Sequence, residues 1–236
     1  MSGSIRLFVR DRLERDAAVS LRPEQARYLL AVMRLGLGDA VRLFNGVDGE
    51  WLAVIAQAGR AQATLLLREQ LRKQAPDGAD LWLAFALLKR DATDLVVQKA
   101  TELGAIRIQP VITARTNVAR VNLERLSAIA TEAAEQCERL MVPDVHGALP
   151  LDRVLATWPT ERALFTAMER TNAPGLHAAT GPAGLLVGPE GGWTDEERRL
   201  LLSYGFVYPI SLGQLVLRAE TASLAGLVLL QVGTGD

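Results

Sequence analysis

Beyond residue 80, short apolar runs alternate with amphipathic stretches of helical period, and this alternation restricts the fold more than any other feature. Strand, helix and strand repeated in that order build a parallel sheet covered by its own crossover helices. "LWLAFALL" (81–88), "IRIQPVI" (106–112), "RALFTAM" (162–168), "GLLVG" (184–188) and "FVYPISLG" (206–213) read as strands. Helices are expected over 92–104, 122–140, 194–204 and 218–232. In the first, Leu95, Val96, Ala100 and Leu103 recur at helical spacing and Gly104 is a stop. In the third, Thr194 and Glu197 form a capping box and Gly205 ends the helix. Pro143 bounds the second.

The first third of the chain has another rhythm. Runs at 5–9, 40–46, 50–57 and 62–70 are short, strand-like and split by turn pairs such as Asn45-Gly46 and Asp48-Gly49. One helix, 23–32, interrupts them. Several short strands in about 70 residues suggest a small β-barrel. "QAPDGAD" (74–80) carries Pro, Gly and Asp without apolar periodicity and is the best linker. The expected domains are therefore 1–73 and 74–236.

Composition narrows the class. A chain of 236 residues, 49% hydrophobic and 22% charged, is that of an ordinary globular protein. No apolar run approaches the roughly 18 residues of a membrane span. The single cysteine, Cys137, excludes an internal disulfide, and with two histidines there are too few ligands for a structural zinc site. No metal and no membrane partner are expected, and a reducing cytoplasm is the simplest setting. Residues 1–73 hold 12 of the 26 basic and 8 of the 27 acidic residues, a balance of +4 against −5 for the remainder. A basic bias of this size fits a nucleic-acid footprint or an ordinary solvated surface.

In a parallel sheet, ligands bind beyond the carboxyl ends of the strands. Two such ends are unusual. "LLVGPEGGWTDEE" (185–197) is a glycine loop before a helix, but no Lys-Ser/Thr follows the glycines and G-x-G-x-x-G is absent. Glu190 would repel a phosphate placed there, so the loop suits a ligand without phosphates, or one with positive charge. "ISLGQLVLRAETA" (210–222) leaves a strand, crosses an apolar stretch and opens a helix near Arg218. Its apolar residues suit a flat aromatic ring, and Arg218 and Glu220 are placed to face a reacting group or to form a surface ion pair. His146 and His177 lie in loop-like regions without partner spacing, and Cys137 reads as a helix-face residue. No Ser/His/Asp or H-E-x-x-H pattern is visible.

These two segments, with "KRDATDLVVQKATELGA" and "EAAEQCERLMVP" before them, resemble the bacterial ribosomal RNA small-subunit methyltransferase E family, uridine-N3 methyltransferases of the SPOUT (α/β-knot) superfamily. "YLLAVMRLGLGDAVRLFNGVDGEW" resembles that family's PUA-like RNA-binding barrel. The resemblance covers nearly the whole chain in the right order. It implies an α/β fold: a C-terminal trefoil-knot domain with a parallel sheet, preceded by the PUA-like β-barrel, assembled as a homodimer. It implies S-adenosylmethionine as cofactor, and as partner 16S ribosomal RNA or the small ribosomal subunit, methylated at one uridine of the decoding region. The cofactor would lie against Leu164, Phe165, Thr166, Val187, Gly188, Pro189, Glu190, Gly191, Gly192, Ile210, Leu212, Gly213, Leu217 and Thr221. Arg218 and Glu220 would be catalytic, and Arg6, Arg10, Arg34 and Arg139 would grip RNA. The family pattern L-G-x-R-[IV]-L-R-x-E-T departs here at its first arginine, which is Leu215, while Arg218, Glu220 and Thr221 are retained. The same loops also suit a SPOUT enzyme acting on a ribose 2′-hydroxyl, or a silent RNA-binding protein of the same fold.

Overall fold

The computed structural model describes residues 5–75, 80–117, 120–169, 173–176 and 181–232. Linker residues 76–79 and His177 lie outside the described residues. The chain divides into two compact units, Met1–Asp77 with Ala134–Met141, and Gly78–Ala133 with Val142–Asp236. The first unit therefore takes in a segment from the middle of the chain.

The first unit is a five-stranded sheet of β1 (Arg6–Phe8), β2 (Ala18–Ser20), β3 (Ala40–Phe44), β4 (Glu50–Gly59) and β5 (Gln62–Arg72), in the order β1-β3-β4-β5-β2. β1 runs parallel to β3, and the other pairs are antiparallel. The helix α1 (Pro23–Arg27) continues as a π-helical turn over Tyr28–Val32. Period-two burial explains the sheet: Val41 and Leu43 of β3, and Leu65 and Leu67 of β5, point into one core with Leu7, Val19, Leu29 and Ile55. The turn before β4 requires glycine, because Gly49 has φ +78° and a Cβ there would lie 2.1 Å from the Arg72 carbonyl oxygen.

An ionic cluster crosses this unit. Glu50 is 1% exposed, and Arg6 is 6% exposed. Arg6 Nε donates to Glu50 Oε1 at 2.5 Å and Arg72 Nε donates to Glu50 Oε2 at 2.8 Å. Arg6 also donates to the carbonyls of Ala134, Glu135 and Arg139 at 2.8–2.9 Å. Burial pushes the Glu50 carboxyl up, but the Arg6 and Arg72 hydrogen bonds and charges outweigh it and hold the group below the usual carboxylate range.

The second unit is an entirely parallel sheet. Its strands are β6 (Leu81–Ala86), β7 (Arg107–Ile112), β8 (Asp144–Val145), β9 (Leu149–Pro150), β10 (Ala163–Ala167), β11 (Ala183–Val187) and β12 (Val207–Ile210). The order is β12-β10-β11-β6-β7-β8, with β9 also on β7. The helices are α2 (Arg90–Glu102), α3 (Leu123–Gln136), α4 (Leu151–Ala156), α5 (Asp195–Leu202) and α6 (Ala219–Val232). Leu83, Phe85, Leu185 and Val187 join Val96, Ala100, Leu126 and Leu227 in one core cluster. Ala84 and Leu186, on the opposite face, join Val154, Leu155 and Leu201 in another. Both faces are covered, which is why β6 and β11 are apolar throughout rather than alternating.

Three features depart from the sequence expectation. The second helix of this region stops at Gln136, not near 140, because Glu138 takes a left-handed φ of +60°. The last strand stops at Ile210, leaving 211–218 as loop. β8, β9 and α4 are too short to leave a periodic signal.

Candidate functional site

The carboxyl ends of β10, β11 and β12 open into a cavity of about 570 Å³ within the second unit. Its walls are 167–169 beyond β10, 187–190 with Gly192 and Trp193 beyond β11, 211–217 beyond β12, and Ala219 and Ala222 of α6. Arg198 of α5 also lines it.

Local chemistry fixes each wall. The Trp193 indole Nε1 donates to the Ala167 carbonyl at 3.0 Å, tying the β11 loop to the end of β10. Gly188 lies under the Trp193 ring, where an added Cβ would come within 2.9 Å of it. Gly213 has φ +120°, which lets the chain turn sharply after β12. Ser211 N donates to the Pro174 carbonyl at 2.8 Å, joining the loops after β12 and β10. Behind the site, α5 begins with the expected capping box. Thr194 N donates to Glu197 Oε2 at 2.9 Å and Glu197 N to Thr194 Oγ1 at 3.2 Å. The other Glu197 oxygen accepts from Ala114 N at 2.7 Å, holding the loop beyond β7.

Among the described residues, the cavity's charged side chains are Glu169, Glu190 and Arg198, two carboxylates and one guanidinium. Val187, Leu212, Leu217 and Ala222 supply apolar surface, and Gly188 and Gly213 expose backbone. The volume is that of a small-molecule site. Among the described residues, no three His, Cys, Asp or Glu are grouped to hold a metal ion.

A second cavity of about 560 Å³ is lined by Leu87, Leu88, Lys89, Arg115, Asn117, Glu190 and Gly191. Arg115 Nη1 donates to the Gly191 carbonyl. Glu190 borders both cavities.

The expected cofactor residues divide accordingly. Val187, Gly188, Pro189, Glu190, Gly192, Leu212, Gly213 and Leu217 line the larger cavity, and Gly191 faces the second. Leu164, Phe165, Thr166 and Ile210 line neither, because their strands run on and the cavity opens only beyond them. Leu164 and Ile210 are core, Thr166 is fully buried, and Phe165 packs on Tyr208 with ring centroids 5.8 Å apart. Arg218 and Thr221 are exposed and Glu220 is half-buried at the start of α6, and none of the three borders the cavity. Met168, Glu169, Trp193 and Arg198 were not anticipated. Trp193 stood inside the quoted glycine loop, whereas Arg198 reaches the site only through the helical turn after Thr194.

Two of the arginines expected to grip RNA are inside the protein. Arg6 spends its donors on Glu50 and on carbonyls, and Arg139 is 7% exposed. Arg10 and Arg34 are exposed. His146 lines neither cavity and lies 2.7 Å from Asp144.

Comparison with known proteins finds two family matches. A family described as "RNA methyltransferase domain" matches residues 75–231, and one described as "RNA methyltransferase PUA domain" matches 21–67. Ribosomal RNA small subunit methyltransferase E of Rickettsia conorii is 35% identical over 227 residues, covering 94% of this chain and 93% of that protein. The Synechocystis protein of that name is 37% identical over 222 residues, covering 90% of this chain and 72% of that protein. Among solved structures, ribosomal RNA small subunit methyltransferase E from Neisseria gonorrhoeae, bound to S-adenosylmethionine, superposes with a TM-score of 0.86 at 28% identity, covering 95% of each chain. A Legionella pneumophila methyltransferase in complex with the same cofactor superposes with a TM-score of 0.88 at 28% identity, covering 99% of each.

Proposed function

The chain belongs to the ribosomal RNA small subunit methyltransferase E family, and from that premise we propose that it methylates N3 of a uridine in the decoding region of 16S ribosomal RNA, using S-adenosylmethionine bound in the larger cavity. The observation that carries this reading is the cavity's charge. Among the described residues, two carboxylates, one guanidinium and no lysine line it, which complements a ligand that carries a sulfonium, an ammonium and a carboxylate. Leu212, Leu217 and Ala222 would pack on its adenine ring, and backbone at Gly188 and Gly213 would approach it closely. When bound, S-adenosylmethionine supplies an electrophilic methyl group.

The chain's own residues do the rest. The uracil N3 proton is mostly attached at neutral pH, so it has to pass to Glu220, Glu190 or water as N3 takes the methyl group and the sulfonium leaves as a neutral thioether. Arg218, free at the mouth of α6, stabilises the negative charge that develops on a uracil carbonyl oxygen. Its chain neighbours Leu217 and Ala219 line the cavity, which supports this role for Arg218. The glycine and apolar walls exclude water, and placement supplies much of the rate. The uridine leaves its stack to reach the site. The chain works in the cytoplasm as a homodimer, with residues 1–73 as an RNA-gripping domain and 74–236 as the methyltransferase domain, and exposed Arg10 and Arg34 contact phosphates.

The test is nucleoside mass spectrometry of 16S RNA from a deletion strain, before and after complementation with this chain. N3-methyluridine that disappears and returns is the expected result. A 2′-O-methyl nucleoside in its place assigns the chemistry to the ribose, and no change in either overturns the reading.

A further inference from the structure

We propose that the second cavity, between the start of α2 and the loop beyond β7, seats the target nucleotide, with Lys89 and Arg115 on its flanking phosphates. This inference rests on the methyltransferase reading and deepens it. The two cavities share Glu190, and both are bordered by the loop after β11. Methyl transfer needs the nucleotide and cofactor sites to adjoin, since the reacting atoms must come within roughly 3–3.5 Å, so Glu190 has to stand beside the reacting atoms and not between them.

The chemistry of the two cavities is opposite in sign. Among the described residues, the larger is lined by two carboxylates and one guanidinium, whereas the second is lined by Lys89 and Arg115 with Glu190. Lys89 is the N-cap of α2, a helix of 13 residues, so its charge lies at the positive end of that helix, with Asp91 in the first turn as a partial offset. Lys89 and Arg115 are both exposed at the rim. Arg115 is held in position by its bond to the Gly191 carbonyl and by its stem, which lies against Gly191. Asn117 adds an amide that can donate to a base carbonyl. Leu87 and Leu88 supply apolar floor for a base. A nucleotide with its phosphate at Lys89 and Arg115 turns its base toward Glu190 and the larger cavity, which keeps the carboxylate away from the phosphate.

The experiment uses the full chain, filter binding of undermethylated 16S RNA across a salt series, and calorimetry with S-adenosylmethionine. Lys89→Ala and Arg115→Lys are the variants, the latter keeping a donor for Gly191. Lys89→Ala should weaken RNA binding on the order of tenfold and lower the salt slope by about 1, with cofactor affinity unchanged. Arg115→Lys should keep the slope and raise the KM for RNA, because a fork is replaced by a point charge. If the wild type methylates RNA but Lys89→Ala binds it with unchanged affinity and slope, the nucleotide lies elsewhere and the methyltransferase reading stands. If the wild type neither binds the cofactor nor methylates RNA, that reading fails and this inference with it.

Discussion

Trp193 donates its indole N–H to the carbonyl oxygen of Ala167 at 3.0 Å, and through that one bond the loop beyond β11 is held to the end of β10. The same ring covers Gly188, so the glycine is needed for the close approach and the tryptophan for the anchor.

Trp193→Phe removes the donor from the Ala167 carbonyl at a half-buried position. Stability should fall by about 1–3 kcal/mol in urea denaturation. Gly188→Ala places a Cβ against the ring and should weaken S-adenosylmethionine binding at least tenfold by calorimetry while the far-ultraviolet circular dichroism stays the same. Unchanged affinity in the glycine variant would mean that the loop yields without cost.

Glu50 makes the first unit acid-sensitive. Its folded-state carboxyl lies below the ordinary value of 4.5, so the stability it contributes is complete above that pH and is lost as pH falls through the folded value. Glu50→Gln should flatten the acid limb of a stability-against-pH curve. At neutral pH it should cost about 3–5 kcal/mol, because Arg6 is left buried without its counter-charge. An acid limb that is the same in both proteins rules Glu50 out as its source.

Arg218→Ala should abolish methylation of small-subunit RNA with cofactor affinity within about twofold of the wild type. Arg218 borders no part of the larger cavity, so loss of cofactor binding would place its role in holding α6 instead.

Leu215 is 79% exposed at the cavity mouth, where the family pattern carries arginine. Leu215→Arg should change stability by no more than about 0.5 kcal/mol. It should steepen the salt dependence of RNA binding by about one counterion. A slope equal to the wild type's would leave that position without an RNA contact.

Much of the fold is legible residue by residue. The alternation beyond residue 80 announces the parallel sheet, since strands buried on both faces must be continuously apolar, as β6 and β11 are. Thr194 and Glu197 announce the start of α5 because a capping box is a local bond pattern, and it forms as read. Glu190 within its glycines announces a carboxylate at a strand end, and the structure sets it on the border of two cavities.

Other features are decided only when distant segments meet. Arg6 looks like an RNA contact in a basic stretch, and Arg139 like one in the segment that carries the family resemblance. Glu50 and the carbonyls of 134–139 are far from Arg6 in sequence, and only the folded first unit brings them onto it. Arg198 and Glu169 become walls of one cavity because β10 and β11 are neighbours and α5 begins just beyond them, an adjacency that no linear spacing encodes. Strand order does the same for Lys89 and Arg115, which β6 and β7 set side by side at their carboxyl ends. The sequence by itself determined the longer elements and the charge carried by the loop, because periodicity, caps and charge act within a few residues. Only the tertiary structure decided which charges are buried and which line a pocket, because burial depends on what packs against a side chain from elsewhere in the chain.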